Sequence, residues 1–86
     1  MYQMWIEYHN DLEGRHNCIF AVEPRIETLR KRLMDHLRLP DKYWGFSQKA
    51  KIYITKAGYS EIVERIYVID YCRAVGIYLN SDNGVS

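Results

Sequence analysis

Three histidines, two cysteines and a run of carboxylates are the residues of this 86-residue chain whose types could do chemistry. His9 and His16 flank one polar stretch, with Glu7, Asp11, Glu13 and Arg15 beside them. Two histidines across a turn could cleave a phosphodiester without a metal, one as general base and the other as general acid. With His9 brought near by a hairpin, His16-x-Cys18 would complete a set of three metal ligands, yet no CxxC or HExxH spacing accompanies it. Turns collect polar residues for solvation alone, so neither a metal site nor a phosphodiesterase is the expectation. Neither Cys18 nor Cys72 has a compelling neighbouring base in sequence, and Cys72 lies in an apolar segment, where a thiol is usually inert. The glycines are scattered singly, which leaves no Gly-rich loop to cradle a phosphate. No catalytic residue, cofactor or metal is expected, and the chain reads as non-enzymatic.

Rings and cations are the stronger signal. Eight Tyr and two Trp are more than a core of this size needs, and both types are favoured where an apolar body meets a polar edge. Tyr43, Trp44 and Phe46 stand together in the loop 40–49, with Gly45 letting the backbone turn between the last two. Such a loop either plugs one end of the core or presents an exposed aromatic anchor. Charge is segregated too. Residues 1–24 hold four acids against Arg15, a net of −3, whereas residues 25–56 hold nine bases against Glu27, Asp35 and Asp41, a net of +6. A local field of this sign steers acidic partners, although solvated helix faces also collect Lys and Arg.

The elements that must position these residues follow from periodicity. Tyr2, Met4, Ile6 and Tyr8 alternate with Gln3, Trp5, Glu7 and His9, the pattern of a strand with one face in the core and Trp5 outward. A second strand over 18–22 puts Cys18, Phe20 and Val22 on one side, after a turn over 10–17 that contains Asp11 and Gly14. Pro24 opens a helix in which Ile26, Leu29, Leu33 and Leu37 recur at helical spacing, with Met34 widening the stripe and His36 at its border. Its outer face carries Arg25, Glu27, Lys31, Arg32 and Arg38; Glu27 can pair with Lys31, and Leu39-Pro40 ends the helix. Residues 50–56 alternate as a strand with Ile52 and Ile54 inward and Lys51, Tyr53 and Thr55 outward.

The longest apolar run, residues 60–79, must be buried on most sides: thirteen of the nineteen residues after Ser60 are apolar. Ser60 can cap a helix and Glu61 and Glu64 suit its positive end, so a helix is expected from Ser60 to near Val75, with Gly76 as its left-handed cap. The β-branched Ile66, Val68 and Ile69 would equally allow a strand over 66–71. Asp70 and Arg73 can pair on one helical face. Residues 77–79 are read as a short final strand and residues 80–86 as a flexible tail.

The expected fold is a single α+β domain over residues 1–86, a two-layer ββαβα sandwich with a short fourth strand, its mostly antiparallel sheet carrying two helices on one face. No segment has the length of a membrane span, the first residues lack a signal peptide, and two cysteines without an export signal read as free thiols; a cytoplasmic protein is expected. The expected function is a non-catalytic accessory or inhibitory module that docks Arg30, Lys31, Arg32, Arg38, Tyr43, Trp44 and Phe46 onto an acidic surface of a larger protein. The alternative is single-stranded nucleic-acid binding, with Trp5 and Tyr53 as stacking rings and Lys49, Lys51 and Lys56 on phosphates, joined by Arg30 and Arg32. A homodimer would also account for the apolar excess. Exposure separates the two readings: Trp5 and Tyr53 side by side on an uncovered sheet favour nucleic acid, whereas a protruding Trp44 and Phe46 favour a protein partner.

Overall fold

The alternating and helical periodicities resolve into one four-stranded antiparallel sheet and two helices in a computed structural model, which describes residues 1–10, 14–77 and 79, without the side chains of residues 9, 10 and 15. Strands β1 (Tyr2–Asn10) and β2 (Gly14–Glu23) form a hairpin, followed by helix α1 (Ile26–Leu37) and a short 3-10 turn (Asp41–Tyr43). A second hairpin, β3 (Lys51–Lys56) and β4 (Ile62–Tyr67), leads into helix α2 (Val68–Val75). The strand order is β2-β1-β3-β4, so the first and third strands lie side by side at the centre.

Both helices lie on one face of this sheet. Leu29, Leu33 and Leu37 of α1 and Val68 and Cys72 of α2 share one core with Met4, Ile6, Ala21, Ile52, Ile54 and Ile66. Each leucine on that stripe, removed from water, contributes about 1.5–3 kcal/mol. The expected two-layer α+β sandwich is the architecture observed.

The largest difference from the sequence reading lies in residues 60–75. These were expected as one helix, but the chain forms strand β4 first and turns helical only at Val68. Ile62, Val63 and Ile66 are β-branched and crowd a helix, whereas in a strand they pack well. Gly58, with φ +86°, closes the β3–β4 turn, and Tyr59 N–H donates to the Lys56 carbonyl at 2.9 Å. The fourth strand is therefore Ile62–Tyr67. Ile77 and Leu79 belong to no strand, and Tyr78 and the tail 80–86 lie outside the described residues. Gly76 does cap α2 in the left-handed region at φ +80°, with Ile77 N–H donating to the Cys72 carbonyl at 2.8 Å.

Smaller differences have local causes. Strand β2 reaches back to Gly14, so residues 14–17 pair with β1 where a turn was expected; residues 11–13 lie outside the described set. A bulge at Phe20 sets Phe20 and Ala21 together opposite Met4 and shifts the alternation, so Ala21 is buried and Val22 faces out. Cys18 is exposed at the sheet edge. Arg25 takes the N-cap position of α1, which leaves Pro24 before the helix. Lys31 pairs with Asp35, one turn on, in place of Glu27. Asp70 and Arg73 are both exposed, so neither fixes a buried pair. Among the described residues, no helix is long and apolar enough to cross a membrane.

Candidate functional site

Because side chains alternate along a strand, burying Met4, Ile6, Ile52 and Ile54 under the helices turns their neighbours to the opposite face. Register fixes what meets there. Ile19, Trp5, Tyr53 and Arg65 form one row across the four strands, and Asn17, Glu7, Lys51 and Tyr67 form the next. Gln3 and Thr55 lie in the row beyond, between Val22 and Ile62. No described helix or loop covers this face: at its edges Ile19 is 46% exposed and Tyr67 48%, while Trp5 and Tyr53 at its centre are half-buried.

Trp5 and Tyr53 sit at its centre on the two middle strands. Their rings are parallel within 7° with centroids 6.0 Å apart. The indole N–H of Trp5 donates to the Thr55 hydroxyl at 3.0 Å, and Thr55, only 3% exposed, is sealed beneath it. This bond fixes the indole, so the platform is preorganised. Removal from water raises the Tyr53 hydroxyl above the usual phenol range, the Glu7 carboxylate adds to this, and Arg65 opposes it. Glu7 and Arg65 therefore both act on the Tyr53 hydroxyl, one negative and one positive.

The nucleic-acid set read from the sequence is partly assembled. Trp5, Lys51 and Tyr53 share the open face, and exposed Lys49 lies just before β3. Lys56 pairs with Tyr2 on the opposite side, and its ammonium sits 5.5 Å from the Tyr59 ring. Arg65 and Tyr67 were missed because their segment was read as helix; the β-branched run Ile62-Val63 and the alternation around Ile66 carried the signal.

The protein-docking set is dispersed. Trp44, which the sequence left open as a core plug or an exposed anchor, is 4% exposed. Its indole N–H donates to the Leu39 carbonyl at 2.9 Å, and its own carbonyl accepts from His36 Nε2 at 2.8 Å. Phe46 is half-buried, packed on Trp44 at 5.8 Å and on the His36 ring at 5.8 Å. The loop is a plug at one end of the core, and Gly45, at φ +82°, allows the fold-back that buries both rings. Tyr43 alone of the three points out, 60% exposed with Lys42 at 5.1 Å from its ring. The helix cations are largely spent on ion pairs: Arg30 with Glu64, Lys31 with Asp35 and Arg32 with Glu23. Arg30, held by both Glu64 oxygens, ties α1 to β4, and that bond pushes its guanidinium further up. Arg38 leans on the Met34 sulfur at 3.4 Å.

Of the acid–base candidates, Asp11 and Glu13 and the side chains of His9 and Arg15 lie outside the described set, and His16 stacks on Tyr8 at 5.5 Å. Among the described residues no three metal-capable side chains cluster. Cys72 is buried, which raises its thiol above the usual range. Comparison with protein-family models, curated proteins and solved structures finds no match to this chain.

Proposed function

We propose that this protein binds single-stranded nucleic acid on the open face of its sheet. The supporting observation is the parallel Trp5–Tyr53 pair at the centre of a face that no described element covers. Unpaired bases present flat apolar faces, and an aromatic ring that receives one contributes about 1–3 kcal/mol per base. Exposed Arg65 ends the row of the rings and exposed Lys51 lies in the next row, where they can meet the phosphates between stacked bases. A duplex hides its base faces, so the platform favours single strands. The protein acts by binding, without catalysis, and a cytoplasmic setting accords with its two free thiols.

Fluorescence anisotropy of labelled single-stranded and duplex oligonucleotides, at low and near-physiological salt, tests this. Single strands are expected to bind, with log K falling against log salt and the slope shrinking by about 0.7 when Lys51 or Arg65 is replaced by Ala. Tyr53→Ala is expected to weaken binding by about tenfold or more. Absence of binding, or binding indifferent to Tyr53→Ala, would overturn the reading.

A second reading keeps a protein partner with an acidic surface. It rests on exposed Tyr43, with Lys42 against its ring and exposed Arg38 and Leu39 ahead of it in the chain. An acidic partner retained by the native chain and lost on Tyr43→Ala, with Tyr53→Ala harmless, would favour it.

A further inference from the structure

On the open face, the β3–β4 pair carries rings on one diagonal and cations on the other. Tyr53 stands opposite Arg65, and Lys51 stands opposite Tyr67. These four outward residues form a square, with Tyr53 and Tyr67 at two opposite corners and Lys51 and Arg65 at the remaining two. Lys51 and Arg65 are exposed, and Tyr67 is 48% exposed. Among the described residues no other ring stacks on Tyr67. An extended single strand presents a matching alternation of base, phosphate and base, which rings and cations receive in turn. Along the diagonal from Tyr53 to Tyr67, each base meets a ring and the phosphate between them passes between the two cations. Glu7 lies on the other side of Lys51, on β1, away from this diagonal.

The spacing sets the form of the strand. Diagonal neighbours on adjacent strands lie about 7–8 Å apart, whereas successive nucleotides of a stacked helix rise about 3.4 Å. Bases seated on both rings are therefore splayed apart. On the reading of this face as a single-strand platform, we propose that Tyr67 is a second stacking station. The strand crosses the sheet diagonally from the Trp5–Tyr53 pair to Tyr67, with a phosphate held between Lys51 and Arg65.

The experiment uses a short thymidine oligomer, whose weakly stacked bases separate readily. Its affinity is measured by anisotropy on the wild-type chain and on Tyr53→Ala, Tyr67→Ala and Tyr67→Phe, and its contacts by NMR of the tyrosine ring protons in the wild type. Tyr67→Ala is expected to weaken binding by about tenfold, and Tyr67→Phe, which keeps a ring to stack on, by less than about twofold. Ring signals of Tyr53 and Tyr67 are expected to move upfield on binding, while those of exposed Tyr43 and Tyr59, away from this face, stay in place. Binding that Tyr53→Ala weakens and Tyr67→Ala leaves unchanged overturns the second station while the platform stands. A loss on Tyr67→Phe as large as on Tyr67→Ala assigns the effect to the hydroxyl and overturns stacking there. Equal shifts at Tyr43 and Tyr59 mean adventitious contact with any exposed ring and overturn the diagonal path. Failure of the oligomer to bind the wild-type chain overturns the platform, and the station with it. Circular dichroism of Tyr67→Ala verifies its fold.

Discussion

Trp5 and Trp44 occupy opposite roles in this molecule. Trp5, with Tyr53, lies on the open side of the sheet, its N–H on a side-chain hydroxyl; Trp44, with Phe46, closes one end of the core, its N–H on a backbone carbonyl. Each indole has its polar atom satisfied, as an indole removed from water requires. The difference lies in what covers the rings. The loop 40–49 folds back over its own aromatics, tied by the His36–Trp44 and Gln48–Asp41 hydrogen bonds, whereas no described element crosses the sheet above Trp5. A ring cluster in a loop is thus a closure device here, and the pair on a regular strand face is the surface feature. The cations divide the same way: those of mid-α1 are neutralised by acids, while Lys51 and Arg65 remain exposed beside the open rings.

Truncating each aromatic group gives the largest contrast. Trp44→Ala is expected to cost about 3–5 kcal/mol, most of the stability of a small domain, read as a lowered urea midpoint. Tyr53→Ala is expected to cost far less stability while removing the binding signal. Equal destabilisation by the two would break the distinction between plug and platform. The two thiols sharpen it at smaller scale. Under native conditions a thiol reagent is expected to modify Cys18 alone, and in denaturant both cysteines, since Cys72 is buried and its thiol held above the usual range. Rapid native labelling at Cys72 would mean that the core under α2 opens readily. The smallest effect is with pH. The unfolded Cys72 thiol ionises at about 8.5 and the folded one higher, so the stabilisation is complete below that pH and falls as pH rises through the folded value. Tyr53 and Tyr71, both raised by removal from water, extend the fall above about pH 10. Urea midpoints at rising pH are expected to decline, and Cys72→Ala to flatten the first part of the decline.

Much of the fold was legible because it rests on local periodicity. The period of two in residues 2–9 and 50–56 placed Trp5 and Tyr53 outward, and the stripe Ile26, Leu29, Leu33 and Leu37 placed α1 on the core. Residues 60–75 were harder. Ser60, Glu61 and Glu64 mimic a helix start, yet Glu64 serves a strand, reaching Arg30 across the layers. A buried apolar run reads alike as helix or strand, and the free edge of β3 decided between them by offering a ladder to pair with. The bulge at Phe20 left no mark in the alternation before it, so Val22, read on one side with Cys18 and Phe20, faces the other way.

The sequence by itself determined the class of the fold, the outward facing of Trp5 and Tyr53, and the glycine cap at Gly76, since each depends on neighbours a few residues away. Only the tertiary structure decided that β1 and β3 lie adjacent, which makes two separate rings one platform, and that Trp44 is sealed in the core. It also decided that Arg30 and Arg32 are neutralised by Glu64 and Glu23, residues distant in sequence or in another element. Strand order, loop closure and ion pairing between layers are long-range contacts, chosen by which packing buries the most apolar surface with every polar group satisfied, and no local pattern encodes that choice.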